Sequence, residues 1–261
     1  MRNCIVLGSA RSGTSMVAGI LAKSGYHTGD NYLAPRDSNP TGFYEDQAVN
    51  RLNDRVLRTV VKEPPGWGVA TRIPVARMAL RPLLQWAFPR HTVDPALWLA
   101  RPRETPSMPQ SDAAIARELV AMQPFAYKDP RFCHTLPAWL PFLPDGTVRI
   151  VVFREPARTV NSIMREMQSE RYRRVRFKRA DALAVWVAAY RRTLEMRHDG
   201  GRWLFLHYDD IVQGIGLRAL SDALHAPLDA SHIVPSLRRS EAMGPISEAA
   251  AAVYRELSAA T

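Results

Sequence analysis

A short apolar run that stops at a glycine-bracketed loop constrains this chain more than any other feature. Ile5, Val6 and Leu7 are β-branched or apolar and end at Gly8. The loop Gly8-Ser9-Ala10-Arg11-Ser12-Gly13-Thr14-Ser15 follows, and then Val17, Ile20 and Leu21 recur on one helical face. The order is strand, glycine loop, helix. Successive backbone N–H groups at a helix N-terminus cradle an anion, and glycine lets the backbone approach it closely. The glycine spacing and the hydroxyl of Ser15 match the phosphate-loop pattern G-x-x-x-x-G-K-[ST], but Thr14 stands where that pattern has lysine. The cation of the loop is Arg11, three residues earlier. No later strand ends in an obvious acidic residue suited to magnesium. The loop is therefore expected to hold a phosphate-like group without the metal apparatus of phosphoryl transfer. A plain glycine turn joining strand to helix is the alternative.

The rest of the chain alternates strand and helix patterns. Residues 125–127 read as a strand leading into Lys128-Asp129-Pro130. Val148-Arg149-Ile150-Val151-Val152-Phe153 is the strongest strand, and its near-continuous apolar character suits a parallel strand covered on both faces. Helices are predicted through Val49, Leu52, Val56, Leu57 and Val60, over 112–122, after Pro156 and over 180–197. Residues 203–207 form a further buried strand, and the remainder is expected to be helical. This alternation predicts an α/β fold, a three-layer α/β/α sandwich with a central parallel sheet. With 261 residues, 46% of them hydrophobic, the chain suits a single domain with a real core. A Pro-rich, substrate-side insertion is expected at about 62–110. Cys4 and Cys133 lie in apolar surroundings and read as small buried hydrophobes.

A formal charge of +10 favours anionic ligands without choosing among phosphates, sulfates, nucleic acids and membrane surfaces. No zinc spacing, helix-turn-helix pattern or aromatic-rich RNA-binding signature occurs, so nucleic acid is not expected as a partner. No run of about 18 apolar residues encodes a membrane span. The first apolar run is too short for a signal peptide, and a cytoplasmic protein is expected.

A second anion site follows the strongest strand. Arg154 sits at its C-terminal end, outside which ligands of open parallel sheets gather. Ser162 lies eight residues later on the next helix. A guanidinium fork with a hydroxyl suits a phosphate. By themselves, an arginine and a serine at this spacing fit a surface salt bridge and an ordinary helical serine equally well.

Taken together, these segments resemble the sulfotransferases that use 3′-phosphoadenosine 5′-phosphosulfate (PAPS). The loop of residues 8–15 is similar to their 5′-phosphosulfate loop, and Arg154 with Ser162 to their 3′-phosphate motif. Tyr208-Asp209-Asp210-Ile211 resembles a family element whose tyrosine lies near the adenine. Tyr127-Lys128-Asp129-Pro130 resembles a segment of tyrosylprotein sulfotransferases, and Asn39-Pro40-Thr41-Gly42-Phe43-Tyr44-Glu45 a loop common in bacterial members. The resemblance runs from residue 4 to about 213. The Gly-rich C-terminal phosphate element of the cytosolic branch is absent, although Arg238 and Arg239 are placed to serve there.

The resemblance implies a sulfotransferase that moves a sulfuryl group from PAPS to an acceptor hydroxyl or amine, releasing adenosine 3′,5′-bisphosphate, with no metal. It implies cofactor contacts from Arg11, Ser12, Gly13, Thr14, Ser15, Arg154, Ser162 and Tyr208. Arg11 and Lys128 are the candidate catalytic cations, and Glu45 is the candidate base. A histidine base is disfavoured, because Pro130 occupies the position where the cytosolic branch carries it. Glu45 could instead serve the helix that follows by its first-turn position; His134 and Asp46 are the fallback bases. The basic run 171–179 reads as a solvated connector or as a rim that attracts an acidic acceptor. The acceptor, whether small molecule, carbohydrate, lipid or peptide, is not legible. A phosphate-loop kinase or nucleotide hydrolase, and a non-catalytic nucleotide-binding protein, are the competing readings.

Overall fold

Four strands pair in parallel in the order β2-β1-β3-β4 in the computed structural model: β1 (Cys4–Leu7), β2 (Ala126–Lys128), β3 (Val148–Phe153) and β4 (Arg202–His207). The described residues are 1–35, 39, 41–61, 97–169, 172, 175–233 and 242–261. Most of the expected 62–110 insertion, much of the basic run and Arg238 and Arg239 lie outside them.

The sheet is apolar on both faces because side chains alternate along each strand. Cys4, Val6, Ile150, Val152 and Leu206 face one layer, built from α1 (Thr14–Lys23), α7 (Tyr208–Val212) and α8 (Ile215–Leu224). Ile5, Leu7, Tyr127, Val151, Phe153 and Phe205 face the other. That layer holds α2 (Gln47–Arg58), α3 (Ala113–Ala121), α4 (Phe132–Trp139), α6 (Arg179–Arg197) and α9 (Glu248–Ser258). Helix α5 (Pro156–Met167) packs Val160, Ile163 and Met167 with Val185 of α6 and with Leu99. Burying each such side chain contributes about 1.5–3 kcal/mol, which makes this two-sided burial the main force holding the sheet.

Local chemistry fixes the helix starts. Asp46 caps α2, its carboxylate accepting from Ala48 N and Val49 N at 2.7 and 3.1 Å. Glu155 caps α5 in the same way, with Pro156 in the first turn. Both free cysteines are buried, and burial pushes the Cys133 thiol up to about 12. One expectation is corrected: beyond Leu224 the chain is not continuously helical. His225 turns left-handed with φ 51°, a 3₁₀ turn spans Ala230–His232, and among the described residues the next helix is Glu248–Ser258. Among the described residues, no helix is long and apolar enough to cross a membrane.

Candidate active site

The C-terminal ends of all four parallel strands meet at one edge, and each is followed by a residue singled out in the sequence. Strand β1 runs into the phosphate loop. Gly8 allows the loop to press on β3, since a Cβ there would sit 2.2 Å from Val152 O. Gly13 begins α1 with φ 99° and supplies no side chain to cap it. The first-turn amides of α1 are thus shaped to receive an external acceptor. A Cβ on Gly13 would lie 2.3 Å from the Tyr208 ring, so that ring rests directly on the loop. Arg11 takes a left-handed backbone, φ 70°, unusual for a residue with a Cβ.

At the β2 end, Lys128 is buried, not the solvated lysine that its charge would suggest. Its Nζ donates to Ser15 Oγ at 3.3 Å and forms a buried ion pair with Glu45 Oε1. Asn39 Nδ2 also donates to Ser15 Oγ, at 3.4 Å. Glu45 is not the cap of α2; Asp46 has that role. Asp46 also accepts from Asp30 N and Asn31 N, both at 3.2 Å, so its carboxylate is committed to backbone amides. Glu45, by contrast, faces Lys128.

A polar network backs this corner. Asn50 Nδ2 donates to Glu45 Oε2 at 3.3 Å and to Asp129 Oδ2 at 2.6 Å. Asn53 Nδ2 donates to Asp129 Oδ2 at 3.0 Å, and Asn53 Oδ1 accepts from Thr135 and Trp139. Arg131 pairs with Asp129 at 3.1 Å and with Asp54 at 2.7 Å. Burial opposes the Arg131 charge, but Asp129, Asp54 and Glu45 outweigh it and raise its pKa. None of Asn50, Asn53, Asp54 or Arg131 was singled out in the sequence. The available signal was two asparagines and an aspartate on a helix whose other buried positions are apolar.

The ends of β3 and β4 build the other half. Arg154 is buried with its guanidinium 4.5 Å from the centre of the Tyr208 ring. Ser162 on α5 is brought back to the edge, where its hydroxyl accepts from Arg11 Nε at 3.1 Å. The two anion sites inferred separately are therefore joined through Arg11 and Ser162. Tyr190 of α6 donates to Val152 O at 2.7 Å, and burial raises its pKa.

His134 belongs elsewhere. It lines a separate cleft with Pro102, Arg103, Ala188 and Arg192. Burial, reinforced by Arg192, pushes its pKa down to about 4. Tyr172 within the basic run is buried and accepts from Trp98 Nε1 at 2.9 Å, so the run is anchored there and is not a wholly solvated connector. Among the described residues, no group of three or more His, Cys, Asp or Glu side chains is placed to hold a metal ion.

Comparison with known proteins agrees with this geometry. The profile of the sulfotransferase family matches residues 4–215. No curated protein sequence matches the chain. Among solved structures, the chain is similar to the sulfotransferase domain from the Synechococcus PCC 7002 olefin synthase. The TM-score is 0.53 at 17% identity, covering 99% of this chain and 96% of that one. It is also similar to the sulfotransferase domain from the curacin biosynthetic pathway, with TM-score 0.51, 16% identity and coverage of 99% and 98%. At such identities these likenesses speak for the fold. The family match spans every strand and all the residues gathered at the sheet edge, and by it the chain belongs to the sulfotransferase family and is a sulfotransferase enzyme.

Proposed function

We propose that the sulfuryl donor is PAPS, and that the acceptor is a hydroxyl or amine attacked in line at sulfur. The observation that carries this reading is the position of Lys128, which reaches both Ser15 of the phosphate loop and the carboxylate of Glu45. A cation, an anion cradle and a base thus share one corner. The residues fit the donor at two points. At one, the uncapped start of α1 and the Ser15 hydroxyl suit the 5′-phosphosulfate. At the other, Arg154 and Ser162 suit the 3′-phosphate, with the Tyr208 ring between loop and guanidinium. When bound, the donor supplies an electrophilic sulfuryl group and a phosphate oxygen as leaving group.

The chain's own residues then divide the work. Glu45 takes the proton of the acceptor on a carboxylate oxygen as the acceptor–sulfur bond forms. Lys128 and Arg11, with the amides of residues 12–15, stabilise charge on the departing phosphate oxygen. In this reading Lys128 exchanges its ion pair with Glu45 for the leaving oxygen, which frees Glu45 Oε1 to accept the proton. The acceptor is a small molecule, a carbohydrate or a peptide, since the resemblance spans all three.

A panel of acceptors incubated with the protein and PAPS tests this by mass spectrometry. The expected result is the mass of one sulfuryl group added to an acceptor, undiminished by excess chelator, because Arg11 and Lys128 carry the positive field. Transfer that vanishes with chelator and returns with magnesium would overturn the scheme.

A further inference from the structure

We infer that Asn50 is a positioning residue for the base: its carboxamide ties Glu45 Oε2 to Asp129 and so presents Oε1 to Lys128 and to the acceptor proton. This rests on the reading of Glu45 as the base. The carboxamide nitrogen carries two N–H groups. One goes to Glu45 Oε2 at 3.3 Å and the other to Asp129 Oδ2 at 2.6 Å. The opposite amide orientation would set a carbonyl oxygen against two carboxylates, so its partners decide it. Asn50 Oδ1 is buried and has no hydrogen-bond partner. A purely structural position on this helix, beside Val49, Leu52 and Val56, would be better served by an apolar side chain. Asn53, one helical turn on, shows the contrast: its amide oxygen accepts from Thr135 and Trp139, and it helps to fix Asp129. Among the described residues, the side-chain hydrogen bonds of Asn50 go to Glu45 and Asp129 alone.

Asp129 is a firm anchor because Asn53 and Arg131 hold it, and Asp54 holds Arg131. When Lys128 leaves Glu45 for the donor, the anchored amide keeps the carboxylate from swinging. A displacement of about 1 Å at a reacting group costs on the order of 10²-fold in rate. The charged groups around the Glu45 carboxylate are Lys128, which pairs with it, and Asp129 and Arg131 behind Asn50. In the step itself the acceptor O–H or N–H bond breaks and its proton passes to Glu45 Oε1; the freed electron pair forms the new bond to sulfur as the sulfur–oxygen bond to the donor phosphate breaks, its pair leaving on that phosphate oxygen.

The test is the pH dependence of kcat, with KM for PAPS, on an acceptor that the wild type sulfates. Asn50→Leu removes the donor at similar volume. It is expected to lower kcat roughly tenfold to a hundredfold with KM for PAPS nearly unchanged. Asn50→Asp replaces the donor with a third carboxylate and is expected to move the acidic limb of the profile to higher pH. It carries the test if Asn50→Leu does not fold, as judged by thermal melting. The double variant Glu45→Gln/Asn50→Leu is expected to be no slower than Glu45→Gln alone. Wild-type kcat and profile in folded Asn50 variants, or losses that multiply in the double variant, would overturn the inference. A Glu45→Gln enzyme with wild-type turnover would instead overturn the assignment of the base.

Discussion

The two halves of the sheet edge handle charge differently. At the β2 end a lysine meets a carboxylate, and behind the pair lies a buried chain of amide, carboxylate and guanidinium groups. At the β3 and β4 ends an arginine lies over an aromatic face, and a second arginine donates to a hydroxyl. A carboxylate that can take a proton is an instrument of chemistry. A cation resting on a ring beside a helical hydroxyl suits binding, with Arg11 reaching across to the loop. The difference implies that damage at the first half appears in turnover and damage at the second in affinity.

The largest effect is expected from Glu45→Gln, which keeps volume and removes the proposed base. Turnover should fall by about 10²–10⁴-fold, the usual worth of a positioned base, with nucleotide affinity nearly unchanged. Steady-state kinetics beside direct titration read both quantities; a matching loss of affinity would blur the division between the halves.

Arg154→Ala reverses the pattern. Losing a charge-assisted contact worth about 1.5–3 kcal/mol should weaken adenosine 3′,5′-bisphosphate by roughly ten- to a hundredfold. Turnover at saturating donor should change far less. A kcat loss as large as that of Glu45→Gln would place Arg154 with the chemistry instead.

No effect on neutral-pH turnover, but one on stability at low pH, is expected from His134, which lies outside both halves. Its folded pKa of about 4 is below the unfolded value, so the unfolded chain binds the proton first as pH falls. The stability that His134 contributes is full above about pH 6.5 and drains away as pH drops toward 4, roughly 3 kcal/mol in all. Denaturant melts of His134→Asn between pH 7 and 4 should show a flatter pH dependence than wild type, while turnover at neutral pH is kept. A large loss of neutral-pH turnover would return His134 to the list of bases.

Much of this was legible in the sequence because it is local. The strand, loop and helix of residues 4–23 are spelled by adjacent residues, and β3 by six in a row. Lys128 was found because it ends a strand, and parallel strands end at one edge. The contacts between elements were not legible. Nothing in the spacing says that Arg11 reaches Ser162, 151 positions away, or that Asn50 bridges to Asp129. The competition between Glu45 and Asp46 for the cap of α2 was decided by Gly29, Asp30 and Asn31. That loop presses on Asp46 and supplies two of its amide donors. The expected helical tail failed just after Leu224, where left-handed His225 ends α8 and the 3₁₀ turn sets His232 against Gly19 of α1.

Two anion sites at this edge, in the proposed reading, grip one bisphosphorylated nucleotide. Isothermal titration of the wild-type protein with adenosine 3′,5′-bisphosphate and with AMP, both in excess chelator, tests this. At least about tenfold tighter binding of the bisphosphate is expected, the worth of one charge-assisted phosphate contact. Equal affinities would mean that no second anion site exists.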